Sequence, residues 1–99
     1  HGEKRQLEVG MALTAEPDLL ILDEPMAGMG PGGTIELSKL IAQLKGNLTI
    51  LLVEHDMDVV FSLADMITVL VYGEAIITAP PEQVRRDATV QTAYLGEEA

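Results

Sequence analysis

The sequence predicts an α/β domain in which helices pack on a parallel sheet, three parallel strands being followed by one hairpin strand. Two observations lead there. Short unbroken aliphatic runs alternate with segments of helical period, in the order helix, strand, helix, strand, helix, strand. Nearly half of the 99 residues are apolar, yet only Phe61, Tyr72 and Tyr94 are aromatic. A core of Leu, Ile, Val, Met and Ala is the composition of helices laid on buried strands.

Residues 3–14 read as a helix in which Leu7, Met11 and Thr14 share one face, and Pro17 stops anything longer. Leu19-Leu20-Ile21-Leu22, ending in Asp23-Glu24-Pro25, suits a strand buried on both faces. Residues 26–33 hold four glycines and a proline and read as a loop. Over 34–45, Leu37, Leu40, Ile41 and Leu44 share a helical face, with Gly46 placed to cap the end. Residues 49–53 form a second strand. Asp56 then caps a helix whose inner face is Met57, Val60, Phe61 and Ala64. Residues 66–71 form a third strand that turns at Tyr72-Gly73 into a fourth, 75–78. Pro80-Pro81 ends it, and 82–95 read as one or two short helices, Asp87 capping the second with Val90, Ala93 and Tyr94 inward. No repeat or linker interrupts the chain, so residues 1–99 read as one continuous piece of one domain.

The net charge of −10 argues against a nucleic-acid partner, since phosphate backbones are met by clustered Lys and Arg. Lys4-Arg5 and Arg85-Arg86 read as solvated helix faces, and the acidity disfavours adhesion to anionic lipid. Without cysteine there is neither a disulfide nor a thiolate metal site. No apolar run reaches membrane-spanning length and no signal peptide is visible, which predicts a cytoplasmic location without membrane insertion.

Three segments carry chemistry. Ligand sites of open α/β sheets lie at the carboxyl ends of the strands, where Asp23 and Glu24 stand. Asp23 can hold a hydrated Mg²⁺ while Glu24 orients or deprotonates a water; taken alone, the pair reads more readily as the start of an ordinary loop. His55 follows the next strand and should come near both carboxylates, within reach of a γ-phosphate. A lone histidine there is usually structural, so its weight comes from its neighbours. Gly2, at a helix start, lets phosphate oxygens approach free backbone N–H groups, although His1-Gly2 also reads as a cloning remnant.

Together these segments resemble the nucleotide-binding subunits of ATP-binding-cassette transporters, over essentially the whole chain. His1-Gly2-Glu3-Lys4-Arg5-Gln6-Leu7 is similar to the end of that family's signature motif, and Leu19 to Pro25 to its Walker B strand with the catalytic glutamate. Met26-Ala27-Gly28-Met29-Gly30-Pro31 occupies the place of the D-loop, and Leu51 to Asp56 resembles the switch-histidine segment. The His-Gly-Glu signature, Ala27-Gly28-Met29, Glu54-His55-Asp56-Met57-Asp58 and the tail Ala93-Tyr94-Leu95-Gly96 are similar to importers of branched-chain amino acids, with relatives that handle urea or short amides. The resemblance implies a P-loop NTPase sheet, ATP and Mg²⁺ as ligands, and catalysis by Glu24 and His55. Asp23 would hold Mg²⁺ through water, Gly2 and Glu3 would face a nucleotide on a second subunit, and Ala27, Gly28, Met29 and Gly30 would form the D-loop. It further implies a two-subunit sandwich, membrane permease subunits, and a peripheral place at the inner face of the cell membrane.

Two departures qualify the resemblance. Gly30 stands where the D-loop usually carries Asp, and no G-x-x-x-x-G-K-[ST] loop, glutamine loop or adenine-stacking aromatic is present. The chain alone is therefore expected neither to bind ATP tightly nor to hydrolyse it. The family's phosphate-loop strand lies between the strands matching 49–53 and 66–71, so a slot is expected in the sheet's centre. Its open edges invite a rearranged sheet, pairing with another chain, or a gap that persists. The alternatives are an ATPase head of the DNA-repair or chromosome-maintenance type, and a non-catalytic interaction module.

Overall fold

The chain is described by a computed structural model covering residues 2–95. His1 of the signature remnant and Gly96 of the tail lie outside the described residues.

Helix α1 spans Gly2–Leu13 and closes where Thr14 donates to the Met11 carbonyl through both its amide and its hydroxyl. Its packed face is not the one that Leu7, Met11 and Thr14 share: Val9 is buried and Leu13 half-buried, whereas Leu7 and Met11 are each 64% exposed. The two stripes are adjacent on the helix, and within the described residues only the Val9 side meets α2 (Pro31–Leu44).

Strand β1 (Leu19–Asp23) pairs in parallel with β2 (Thr49–Val53), with Leu19 opposite Thr49 and Asp23 opposite Val53. Burial on both faces is not observed. Leu20 and Leu22 point into the core, while Ile21 (59% exposed) and Leu51 (52%) lie on an uncovered face. A strand is buried twice only when layers flank both sides, and among the described residues helices cover one side.

The expected loop is shorter than predicted, because α2 begins at Pro31. Proline is pre-set for the first helical position, where the N–H it lacks would have no partner anyway. Leu37 and Ile41, one helical turn apart, are fully buried against Val9, Leu20, Leu22, Met26, Val59 and Leu63. The C-cap is Lys45, whose amide donates to the Ile41 carbonyl, and Gly46, with φ of 91°, follows it one residue later than the cap expected of it. Helix α3 (Met57–Leu63) is capped by Asp56, whose carboxylate accepts from the Val59 amide at 3.4 Å. Val59 and Leu63 are its deepest residues, and Val60, Phe61 and Ala64 instead join a second cluster. Lys45 ties the ends of α2 and α3 together, donating to the Leu63 carbonyl at 2.6 Å and pairing with Asp65 at 3.1 Å.

Strand β3 (Ile67–Val71) forms an antiparallel hairpin with β4 (Glu74–Ala79) across Tyr72-Gly73, whose φ values of 50° and 77° suit a two-residue hairpin turn. The second cluster joins Ile67, Val69 and Ala79 to Val84 of α4 (Pro81–Arg86) and Val90 of α5 (Ala88–Val90). Asp87 caps α5, and the chain continues into a π-helical turn, Gln91–Leu95. Ala93 and Tyr94 are exposed rather than buried, and Tyr94 lies along the slot beside β3, its hydroxyl donating to the Leu70 carbonyl.

The α/β class stands, but the sheet is divided: β1–β2 is one pair, β3–β4 the other, and β2 does not pair with β3. Between them lies an apolar slot of about 620 Å³, lined by β2 from Ile50 to Val53 and by β3 from Ile67 to Leu70. The expected gap persists.

Candidate functional site

The parallel register carries the carboxyl ends of β1 and β2 to one edge. The ladder runs one residue past β1, since the Glu24 amide donates to the Val53 carbonyl at 2.7 Å. That contact sets Glu24 beside the residues that follow Val53, and its side chain meets His55. Glu24 Oε1 lies 2.5 Å from His55 Nδ1, with the two side chains 48% and 74% exposed. The predicted meeting of Glu24 and His55 is thus observed.

Glu24 has a φ of 45°, a region a non-glycine residue rarely occupies. From there the chain tightens at once: the Ala27 amide bonds to the Glu24 carbonyl and Met29 to Met26, each at 3.1 Å. Pro25 and Met26 are buried, so the loop is anchored on its apolar residues while Ala27 and Gly28 remain exposed. Gly28, with φ of 75°, uses glycine's freedom. Gly30 is the N-cap of α2 and offers no side chain to the helix amides.

Asp23 stands apart from that meeting. Strand alternation places it with Leu19 and Ile21 on the uncovered face, exposed and without a side-chain hydrogen bond or ion pair among the described residues. Gly2 and Glu3 open α1, and no hydrogen bond or ion pair among the described residues joins them to the Glu24–His55 pair.

Glu54 had no assigned role in the sequence, yet it sits at the centre of the edge. One carboxylate oxygen accepts from the Met26 amide at 3.2 Å and the other from the His55 amide at 3.1 Å. Ligand atoms of Glu24, Glu54 and His55 all lie within 4.8 Å of one another. The only local sign of it is an acidic residue directly before His55. Its partner Met26 is 28 positions away, beyond any sequence window. The carboxylates at this edge are hard oxygen donors of the kind a small divalent cation takes, and His55 can donate to an anion.

The comparisons with known proteins bear on the whole chain. A family model described as a branched-chain amino acid ATP-binding cassette transporter matches residues 78–99. The high-affinity branched-chain amino acid transport ATP-binding protein LivG of Escherichia coli (strain K12) is 44% identical over 98% of this chain and 39% of its own length. BraF of Pseudomonas aeruginosa, described in the same terms, is 43% identical over the same shares. Among solved structures, the ADP conformation of MJ1267, an ATP-binding cassette of an ABC transporter, superposes with a TM-score of 0.82 at 31% identity, covering 97% of this chain and 40% of that one.

The chain belongs to the ATP-binding-cassette family. It spans about two fifths of the length of the curated relatives it matches. The divided sheet resembles that of ATP-binding-cassette domains, a P-loop NTPase fold. Within this cassette segment the Glu24–His55 edge lies where open α/β sheets hold their ligands. Among the described residues no helix is long and apolar enough to cross a membrane.

Proposed function

We propose that the chain supplies the hydrolytic edge of an ATP-binding subunit of an importer, with branched-chain amino acids or a related small solute such as urea or an amide as cargo. The observation that carries this reading is the Glu24–His55 contact at the carboxyl edge of two register-matched parallel strands. Glu24 acts as general base: it accepts a proton from a water as that water attacks the γ-phosphorus of ATP, and the leaving oxygen departs with ADP. His55 holds the base in place before the reaction and donates a hydrogen bond to the γ-phosphate during it. Asp23 would hold Mg²⁺ through water, and the ion would supply charge neutralisation for the transferred phosphate. The exposure of Asp23 on the uncovered face of β1 supports that role.

The remaining roles follow the family. Gly2 and Glu3, at the start of α1, contact the nucleotide of a second ATP-binding subunit across a dimer. Ala27, Gly28, Met29 and Gly30 form the D-loop between the two sites. Permease subunits hold the assembly at the cytoplasmic face of the membrane. That LivG and BraF are branched-chain amino acid transport proteins supports an importer over a DNA-associated ATPase head or a non-catalytic module.

The test is ATP turnover by the complete subunit. Glu24→Gln should lower kcat by about a hundredfold or more, the size of a lost general base, while ATP binding persists. The 99 residues by themselves should turn over no ATP. A Glu24→Gln subunit that hydrolyses ATP at near the parent rate removes Glu24 as the base and the reading with it.

A further inference from the structure

Glu24 is held in an unusual backbone conformation, and its φ of 45° persists only if the surroundings fix it. Three contacts surround it. Its own amide bonds to Val53, its carbonyl receives the Ala27 amide, and Glu54 takes the amide of Met26, two residues further on. The first two are backbone bonds that many side chains would allow. The third depends on one carboxylate, because Glu54 grips the Met26 amide with one oxygen and the His55 amide with the other. It therefore fixes the loop after β1 and the segment after β2 to a single group.

We propose, on the basis of the function proposed above, that Glu54 is a positioning residue for the Glu24–His55 pair. Its carboxylate is half-buried, and both of its partners are neutral amides. A charged acceptor makes the stronger kind of hydrogen bond, more so away from bulk water. With the carboxylate removed, the Met26 amide loses its partner at the place where Glu24 must stay left-handed. The Glu24 carboxylate then drifts from His55. Glutamine at this position keeps one acceptor oxygen and so can hold one amide of the two.

The test begins with the isotope-labelled chain and the Glu54→Gln and Glu54→Ala variants, the glutamine variant keeping the shape and hence the fold. The Met26 and His55 amide signals should both move in Glu54→Ala relative to the parent chain, because each amide loses the carboxylate it donates to. The ring-nitrogen spectrum of His55 in Glu54→Ala should move at least half-way to that of Glu24→Ala, while Glu54→Gln stays nearer the parent. In the complete subunit, Glu54→Ala should lower kcat roughly tenfold with little change in KM for ATP, the pattern of lost alignment rather than lost binding, and Glu54→Gln should recover about half of that loss on a logarithmic scale. A Met26 amide signal unchanged in Glu54→Ala, a His55 ring unchanged in Glu54→Ala, or equal kcat in Glu54→Ala and the parent overturns the proposal. Should the complete subunit turn over no ATP, the proposed function fails, and the two spectra still decide whether Glu54 sets the pair.

Discussion

The left-handed backbone at Glu24 can be measured by comparing two truncations, Glu24→Gly and Glu24→Ala. Both remove the carboxylate, and both lose the same exposed contact with His55, so those contributions cancel. The side chain is about half exposed, and its loss opens no core cavity in either variant. What differs is the backbone. An L-residue in the left-handed region is disfavoured by about 1–2 kcal/mol relative to glycine, and glycine's greater freedom in the unfolded chain offsets about 0.5–1 kcal/mol of that. The glycine variant should therefore be more stable than the alanine variant by roughly 0.5–1 kcal/mol, opposite to the order at an ordinary strand position. In a domain of this size that is a Tm higher by about 2–8 °C. Thermal unfolding followed by circular dichroism reads it directly. An alanine variant that melts at or above the glycine variant refutes the strained backbone and, with it, the need for the Glu54 brace. In the complete subunit both variants should be inactive, so stability and hydrolysis would part company at one residue.

Two other substitutions test the frame that presents the site. Leu37 is fully buried between α1, β1 and α3, and Leu37→Ala should cost about 2–5 kcal/mol in urea unfolding. A loss under about 1 kcal/mol would show that α2 is not seated as described. At Gly30 an added Cβ meets nothing within 4 Å and φ is −74°, so Gly30→Asp introduces neither clash nor strain. Its carboxylate should cap α2, adding a few tenths of a kcal/mol and raising Tm by about 1–3 °C. A fall of several degrees would contradict the geometry of the loop.

Much of this was legible in the sequence because the signals are local. The aliphatic runs at 19–22 and 49–53, the caps Asp56 and Asp87, the turn at Tyr72-Gly73 and Gly46 after α2 each act within a few residues of themselves. The meeting of Glu24 and His55 was also within reach, since parallel strands carry their carboxyl ends to one edge. The inward faces were harder. Leu7 and Met11 satisfy helical period as well as Val9 and Leu13 do, and only the position of α2 selects between them. Exposure of Ile21 and Leu51 is likewise a matter of which layers are present, not of how apolar the strand is.

The sequence by itself therefore determined the elements, their order, the family, and the two side chains that meet at the strand edge. Tertiary structure decided which faces are covered, that the sheet is divided between β2 and β3, that Asp23 stands apart from Glu24, and that Glu54 joins Met26 to His55. The reason is range. Period, capping and turn chemistry are written in neighbouring residues, whereas burial and a hydrogen bond across 28 positions exist only after distant segments have been brought together.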